Sequence, residues 1–183
     1  MPGTGESCSR RALWKDPALL DRLIRTHSDS LVRFAYSCVC DSAAAEDIVS
    51  DTFAALMVKG GFFPDEGKLR AWLYRVARNK SIDYLRHRSR HVPLEDVENV
   101  LGSGDPEADA IRAQRDQTVY LCMLSLPQQY QQVLQLTYLD GFSLAETERI
   151  MGRSPKQIYN LLSRAKIALK ERLIKEGISY EDL

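Results

Sequence analysis

Between Lys68 and His91 the sequence KLRAWLYRVARNKSIDYLRHRSRH sets eight Lys/Arg against one acid, Asp83, a local net charge of +7 in a chain whose formal net charge is zero. Like charges held this densely repel one another unless a polyanion takes them up, so phosphate recognition is the chemistry this segment suits. Read as a helix at about 100° per residue, it gathers Leu69, Leu73, Val76, Ala77 and Tyr84 on a core face. Lys68, Arg75, Asn79 and Arg86 fall within about 20° of one line on a neighbouring face, with Trp72 at the boundary. Cations there hold phosphates, Asn79 can read a base edge, and an indole can stack on or wedge beside an unpaired base. Tyr74 and Tyr84 add two more aromatics able to stack on bases. The bland reading makes Trp72 plain core and the arginines a solvated face.

A second basic unit lies near the end of the chain. From Arg153 to Lys175 seven Lys/Arg face one Glu, a net of +6. Ile158, Leu161, Leu162, Ala165 and Leu169 make an apolar stripe at helical spacing, opposite Lys156, Gln157, Asn160, Ser163 and Arg164. A helix whose exposed first turns carry Lys, Gln, Asn and Ser can reach base edges in a major groove. A third cluster is acidic: Asp41, Glu46, Asp47 and Asp51 fall within eleven residues. Asp47 and Asp51 are one turn apart beside Ile48, which the stripe of Val49, Phe53, Leu56 and Met57 does not need. An exposed acid-plus-aliphatic patch next to a DNA-binding surface fits a protein partner, while first-turn acids favoured by the helix dipole are the plainer explanation.

Chain-wide features narrow the classes. Composition is 44% apolar and 27% charged, that of a folded globular chain rather than a disordered one. No apolar run approaches the ~18 residues that span a bilayer, and no apolar stretch follows the basic pair at the N-terminus, so a cytoplasmic protein is expected. Cys8, Cys38, Cys40 and Cys122 lack the paired spacing of zinc sites and read as reduced, mostly buried thiols. No metal or cofactor site is expected. His27, His87 and His91 are scattered, and Asp83 alone beside the basic helix does not supply the clustered carboxylates of a nucleic-acid enzyme; the chain does not read as an enzyme.

The elements that must position these residues are all helical. Glycine and proline punctuate the chain at Gly60-Gly61, Pro64, Gly67, Pro93, Gly102 to Pro106, Pro127, Gly141, Gly152 and Pro155. Between them no strand-like alternation is sustained. Leu19, Leu20, Leu23 and Ile24 predict a short first helix and Leu31, Phe34, Ala35 and Cys38 a second. Asp41 or Ser42 caps a third, and the basic helix follows the Gly60–Gly67 loop. From Pro93 to Asp116 seven acids face two arginines, a net of −5, around a Gly-Ser-Gly-Asp-Pro run that suits a flexible acidic linker. After it, Ser125-Leu126-Pro127-Gln128 opens a helix with Tyr130, Val133, Leu134, Thr137 and Tyr138 on one side. Gly141 ends that helix, Ser143-x-x-Glu146 boxes the next, and Ser154-Pro155-Lys156-Gln157 starts the last. Short-linked helices followed by a longer basic one describe a helix-turn-helix. The chain is therefore all-α: two small helical domains, 16–91 and 117–176, joined by a linker over 92–116, with tails at 1–15 and 177–183.

These residues resemble a known family. Ala45-Glu46-Asp47-Ile48-Val49-x-Asp51-x-Phe53, Leu69-Arg-Ala-Trp-Leu-Tyr-Arg-Val-Ala-Arg-Asn79 and Asp83-Tyr-Leu-Arg86 are similar to region two of bacterial sigma factors. Leu126-Pro127 through Leu173 resembles region four, and the short linker is similar to that of the extracytoplasmic-function (ECF) type. The resemblance implies that Asp47, Ile48, Asp51 and Phe53 dock on core RNA polymerase. It implies that Lys68, Trp72, Arg75, Arg78, Asn79 and Arg86, with the Gly60–Gly67 loop, recognise and help open the promoter minus-ten element. Lys156, Gln157, Asn160, Ser163, Arg164 and Lys166 would then read the minus-35 element, and an anti-sigma factor is a further partner that members of this type commonly have. Two positions depart from the family pattern: Tyr159-Asn160-Leu161 stands where Lys-Ser-Arg is usual, and Glu148 replaces a small residue in the first helix of the motif. The rival reading is a stand-alone helix-turn-helix regulator that binds duplex DNA without polymerase.

Overall fold

The computed structural model describes residues 17–59, 63–88 and 117–177, and among them every regular element is helical. Three helices form the first unit: α1 (Pro17–Val39), α2 (Ser42–Lys59) and α3 (Glu66–Arg88). The second unit holds α4 (117–124), α5 (Gln128–Leu134) running into a π-helical turn (Gln135–Leu139), α6 (Leu144–Met151) and α7 (Pro155–Lys175). The linker, the N-terminal tail and the C-terminal tail beyond Gly177 lie outside the described residues, as do Gly60 to Phe62 and Cys8.

Where two helices were expected between Leu19 and Cys38, one helix of 23 residues forms. No glycine or proline interrupts it after Pro17, and the polar stretch Thr26-His27-Ser28 that suggests a break carries a buried residue, His27, instead. Leu23, His27, Leu31, Phe34, Ala35 and Cys38 then make one continuous buried stripe at spacings of three and four. α1 stops at Cys40, which takes a left-handed conformation (φ 52°) and donates its N–H to the Tyr36 carbonyl at 2.8 Å. Asp41 follows as the cap of α2, its Oδ1 accepting the Ala44 N–H at 3.1 Å.

α2 presents Ala44, Ala45, Ile48, Val49, Thr52, Phe53 and Leu56 to α1 and α3. Polar residues enter this core because each hydroxyl bonds back along its own helix: Ser37 to Phe34, Thr52 to Ile48 and Ser81 to Ala77, at 2.7, 2.7 and 2.9 Å. Each large aliphatic side chain closed in this way contributes about 1.5–3 kcal/mol of burial.

In the second unit the expected punctuation is present. Gly141 (φ 65°) and Gly152 (φ 62°) take the left-handed positions after their helices. Ser143 with Glu146 and Ser154 with Gln157 close full capping boxes, and Pro155 sits in the first turn of α7. The departure is at the end of α5. A wide π turn over Gln135–Leu139 rotates the last residues, so Tyr138 and Leu139 face outward instead of joining Val133 and Leu134 inside.

His27 packs in α1 with its Nε2 3.6 Å from Glu66, too long for a hydrogen bond. Burial holds its pKa below 6.5, with Arg70 adding to the depression and Glu66 opposing it. A depressed folded-state pKa contributes stability above the unfolded pKa that is lost as pH falls through the folded value. His27→Gln should therefore shed part of the acid-side decline: urea unfolding from pH 7.5 to 5 is expected to fall more steeply for the wild type than for the variant. Parallel slopes would show that His27 does not take up the proton.

Candidate nucleic-acid interface

α3 begins where Asp65 Oδ1 accepts the Lys68 N–H at 2.7 Å, so the first cation of the basic segment lies in the opening turn. Leu69, Leu73, Tyr74, Ala77 and Ser81 are buried. Leu69, Leu73 and Ala77 are where the core face was expected, but Val76 and Tyr84 are only half-buried and Tyr74 and Ser81 take their places. Tyr74, read from sequence as able to stack on bases, is fully buried, its ring 5.1 Å from Phe34 of α1. Tyr84 is also engaged inside the fold: its hydroxyl donates to Asp41 at 3.0 Å, tying the end of α3 to the cap of α2. The Ala44 N–H and then the Tyr84 hydroxyl hold the Asp41 carboxyl below its ordinary pKa.

Of the six α3 positions assigned to DNA, Arg75, Asn79 and Arg86 lie exposed, with Arg86 reaching Asp83 at 3.4 Å. Lys68 is exposed too, and its charge helps hold Glu146 of α6 below the ordinary carboxylate pKa, after the hydrogen bonds from Ser143. Trp72 is half-buried, edge-on to Phe63 with ring centroids 5.6 Å apart. Arg78 turns away from the stripe into a cavity shared with the second unit.

On α7, Lys156, Gln157, Asn160, Ser163, Arg164 and Lys166 are all exposed. Gln157 spends its carbonyl oxygen on the capping box, accepting the Ser154 N–H at 2.9 Å. The Lys166 ammonium lies 5.2 Å from the Tyr138 ring centroid, a contact that the π turn makes available. Tyr159, at one of the positions that depart from the family pattern, is 68% exposed at the head of the helix.

The acidic patch on α2 is only half as drawn from sequence. Asp47 and Asp51 are exposed, but Ile48 and Phe53 are each only 6% exposed and belong to the core. A wide stripe, needed because α2 packs against both α1 and α3, draws Ile48 inside. Lys80 of α3 bonds Asp51 at 2.9 Å, and a groove of about 290 Å³ between the helices is lined by Asp47, Asp51 and Asp83 around that ammonium. Met57, expected in the buried stripe, is instead 57% exposed near the end of α2, and Val58 beside it is 81% exposed.

Sequence reasoning missed the junction between the units. Arg70 donates to the Asp140 carbonyl and lays its guanidinium 4.2 Å from the Phe142 ring centroid. Phe142 in turn meets Tyr74 edge-on at 4.8 Å. A chain of rings thus runs from Phe34 through Tyr74 to Phe142, capped by a cation. Beside it Gln128 of α5 donates to the Cys38 carbonyl, and Gln132 donates to the Cys38 thiol at 3.3 Å. Burial pushes that thiol up to about 12, so it stays protonated. Asp140 is buried next to the Tyr74 hydroxyl; burial raises its pKa, opposed by Tyr74 and Arg70. The one sequence signal for this junction was a large aromatic directly after the Asp-Gly helix stop.

Comparison with known proteins places this geometry. Sigma-70 region 2 matches residues 23–91, and Sigma-70, region 4 matches residues 116–169. A region-two bundle followed by a region-four helix-turn-helix defines the class: a sigma-70-type transcription factor. The chain is 28% identical over 165 residues to the ECF RNA polymerase sigma factor SigM of Bacillus subtilis (strain 168), covering 88% of this chain and 99% of that protein. It is also 28% identical over 160 residues to the ECF RNA polymerase sigma factor SigM of Mycobacterium tuberculosis (strain ATCC 25618 / H37Rv), with 86% and 79% covered. Its fold is similar to the sigma factor RpoE solved in complex with the anti-sigma factor NepR from Bartonella quintana, with a TM-score of 0.67, 25% identity, and 84% and 96% of the two chains covered. The chain belongs to the ECF sigma factors.

The junction generates a direct expectation. Removing a buried aromatic costs about 3–5 kcal/mol, and here the loss falls largely on contacts between units. Phe142→Ala should leave the helix content unchanged by circular dichroism while the radius of gyration from small-angle scattering rises. An unchanged radius would show that the ring stack does not hold the units together.

Proposed function

We propose that this chain directs transcription initiation as the promoter-specificity subunit of a bacterial RNA polymerase, working in the cytoplasm and without catalytic chemistry of its own. The observation that carries the reading is the pairing of two surfaces in one chain. The exposed Arg75/Asn79/Arg86 edge of α3 stands beside a half-buried indole, and a capped helix-turn-helix presents Lys156, Asn160, Ser163 and Arg164.

In this reading α3 holds the minus-ten element. Arg75 and Arg86 take phosphates, Asn79 reads a base edge, and Trp72, braced by Phe63, lies beside the strand as it separates. The head of α7 enters the major groove of the minus-35 element. Tyr159 and Asn160 supply aromatic and amide contacts where the family pattern supplies a lysine and a serine, so the preferred minus-35 sequence differs accordingly. Asp47 and Asp51 offer carboxylates to a basic surface of core polymerase, with Met57 and Val58 extending that surface apolarly. Ile48 and Phe53 support this face from below. Release of Arg78 to the DNA requires the two units to part, and an anti-sigma factor that clasps both units would oppose that step.

The stand-alone regulator reading has no use for a core-docking acidic groove, and it makes the opposite forecast. Run-off transcription with purified core polymerase is expected to give a promoter-specific transcript only when core and this chain are both present. Tight specific duplex binding by the chain alone, without core-dependent transcript, would overturn the proposal. Asp51 is tied to Lys80, so Asp47 is the cleaner probe of docking: Asp47→Lys should weaken core affinity about tenfold or more with an unchanged thermal melt. Unchanged affinity would remove the α2 groove from the docking face.

A further inference from the structure

Arg78 of α3 and Arg153 of the α6–α7 turn meet across the junction in one cavity of about 180 Å³. Each buries its Nε without a hydrogen-bond partner. The other polar groups of the wall are largely committed elsewhere: Gln128 and Gln132 donate to Cys38, and Ser81 donates to the Ala77 carbonyl. Among the described residues no carboxylate lines the cavity.

Two half-buried guanidiniums sharing one cavity, with no carboxylate among the described residues that line it, make a costly arrangement. Burial lowers the Arg78 pKa, and the charge of Arg153 lowers it further. Each side chain presents planar N–H forks matched to the oxygens of a phosphate group. The cavity has room for such a group with part of its hydration shell.

We infer that this cavity binds a phosphate-class oxyanion, bridged between Arg78 of the first unit and Arg153 of the second. The site exists only while the units are together, so the anion binds the closed form and shifts the population toward it. It also occupies a guanidinium that the functional reading above gives to promoter DNA. The level of free phosphate, or of a phosphate carried on a nucleotide, thereby sets how readily the chain opens.

The test is calorimetric titration of the full chain with inorganic phosphate, with adenosine monophosphate in a parallel arm, and with chloride at matched ionic strength as reference. Saturable binding is expected for phosphate and not for chloride. Arg153→Gln should weaken it at least about tenfold and Arg153→Lys less, because the ammonium keeps charge but not the fork. Arg78→Gln provides an independent variant from the other unit, each variant being checked for helicity by circular dichroism. Equal affinity for the two ligands assigns recognition to the phosphate group alone; tighter adenosine monophosphate assigns it to a nucleotide. Phosphate heats indistinguishable from chloride, or wild-type affinity in both glutamine variants, would overturn the inference. Neither promoter nor polymerase enters this readout, so such a failure leaves the initiation reading standing.

Discussion

Arg70 lies over Phe142 and donates to the Asp140 carbonyl, while Tyr74 meets the same ring from below. Through this contact one helix serves two units at once. α3 packs on α1 and α2 with Leu69, Leu73 and Ala77, and closes against the α5–α6 turn with Arg70 and Tyr74. Its remaining circumference carries Arg75, Asn79 and Arg86. Almost every direction around the helix is therefore assigned, and whatever α3 does with DNA is linked to how the second unit sits on it.

That linkage explains the polar character of the junction. Asp140, Gln132 and Arg78 are ill-suited to a permanent core, where imperfectly paired polar groups cost more than apolar packing. They suit a contact that must form and separate, because each group regains water when the units part. The ring stack supplies attraction and the underpaired polar groups limit it. An interface built this way has a modest free-energy difference between closed and open, which a partner of ordinary affinity can reverse.

Much of the architecture was legible in the residues. Both capping boxes and the glycines at 141 and 152 announce their helix ends through requirements that few other residues meet. The cation stripe on α3 is a matter of angle alone. Three features were hidden, each for a physical reason. Tyr74 was misplaced because angular reading allots a helix one core face, whereas α3 is covered on two sides. Ile48 was expected outside because the stripe counted for α2 served one neighbour and the helix has two. The outward turn of Tyr138 comes from one wide turn of backbone, which no side-chain pattern over so few residues reveals. The junction itself was signalled only by Phe142 after the Asp-Gly stop, since its partners lie about seventy positions apart in the chain.

In the free chain the second unit closes over α3, and the proposed function requires it to leave when the promoter is engaged. Double electron–electron resonance between labels at Asp29 of α1 and Glu171 of α7, introduced as unnatural amino acids so that native thiols stay untouched, measures this directly. One narrow, short distance distribution is expected for the free chain, and its replacement by a longer one on core polymerase with promoter DNA. A short distance that persists in the initiation complex, or a broad distribution in the free chain, would contradict it.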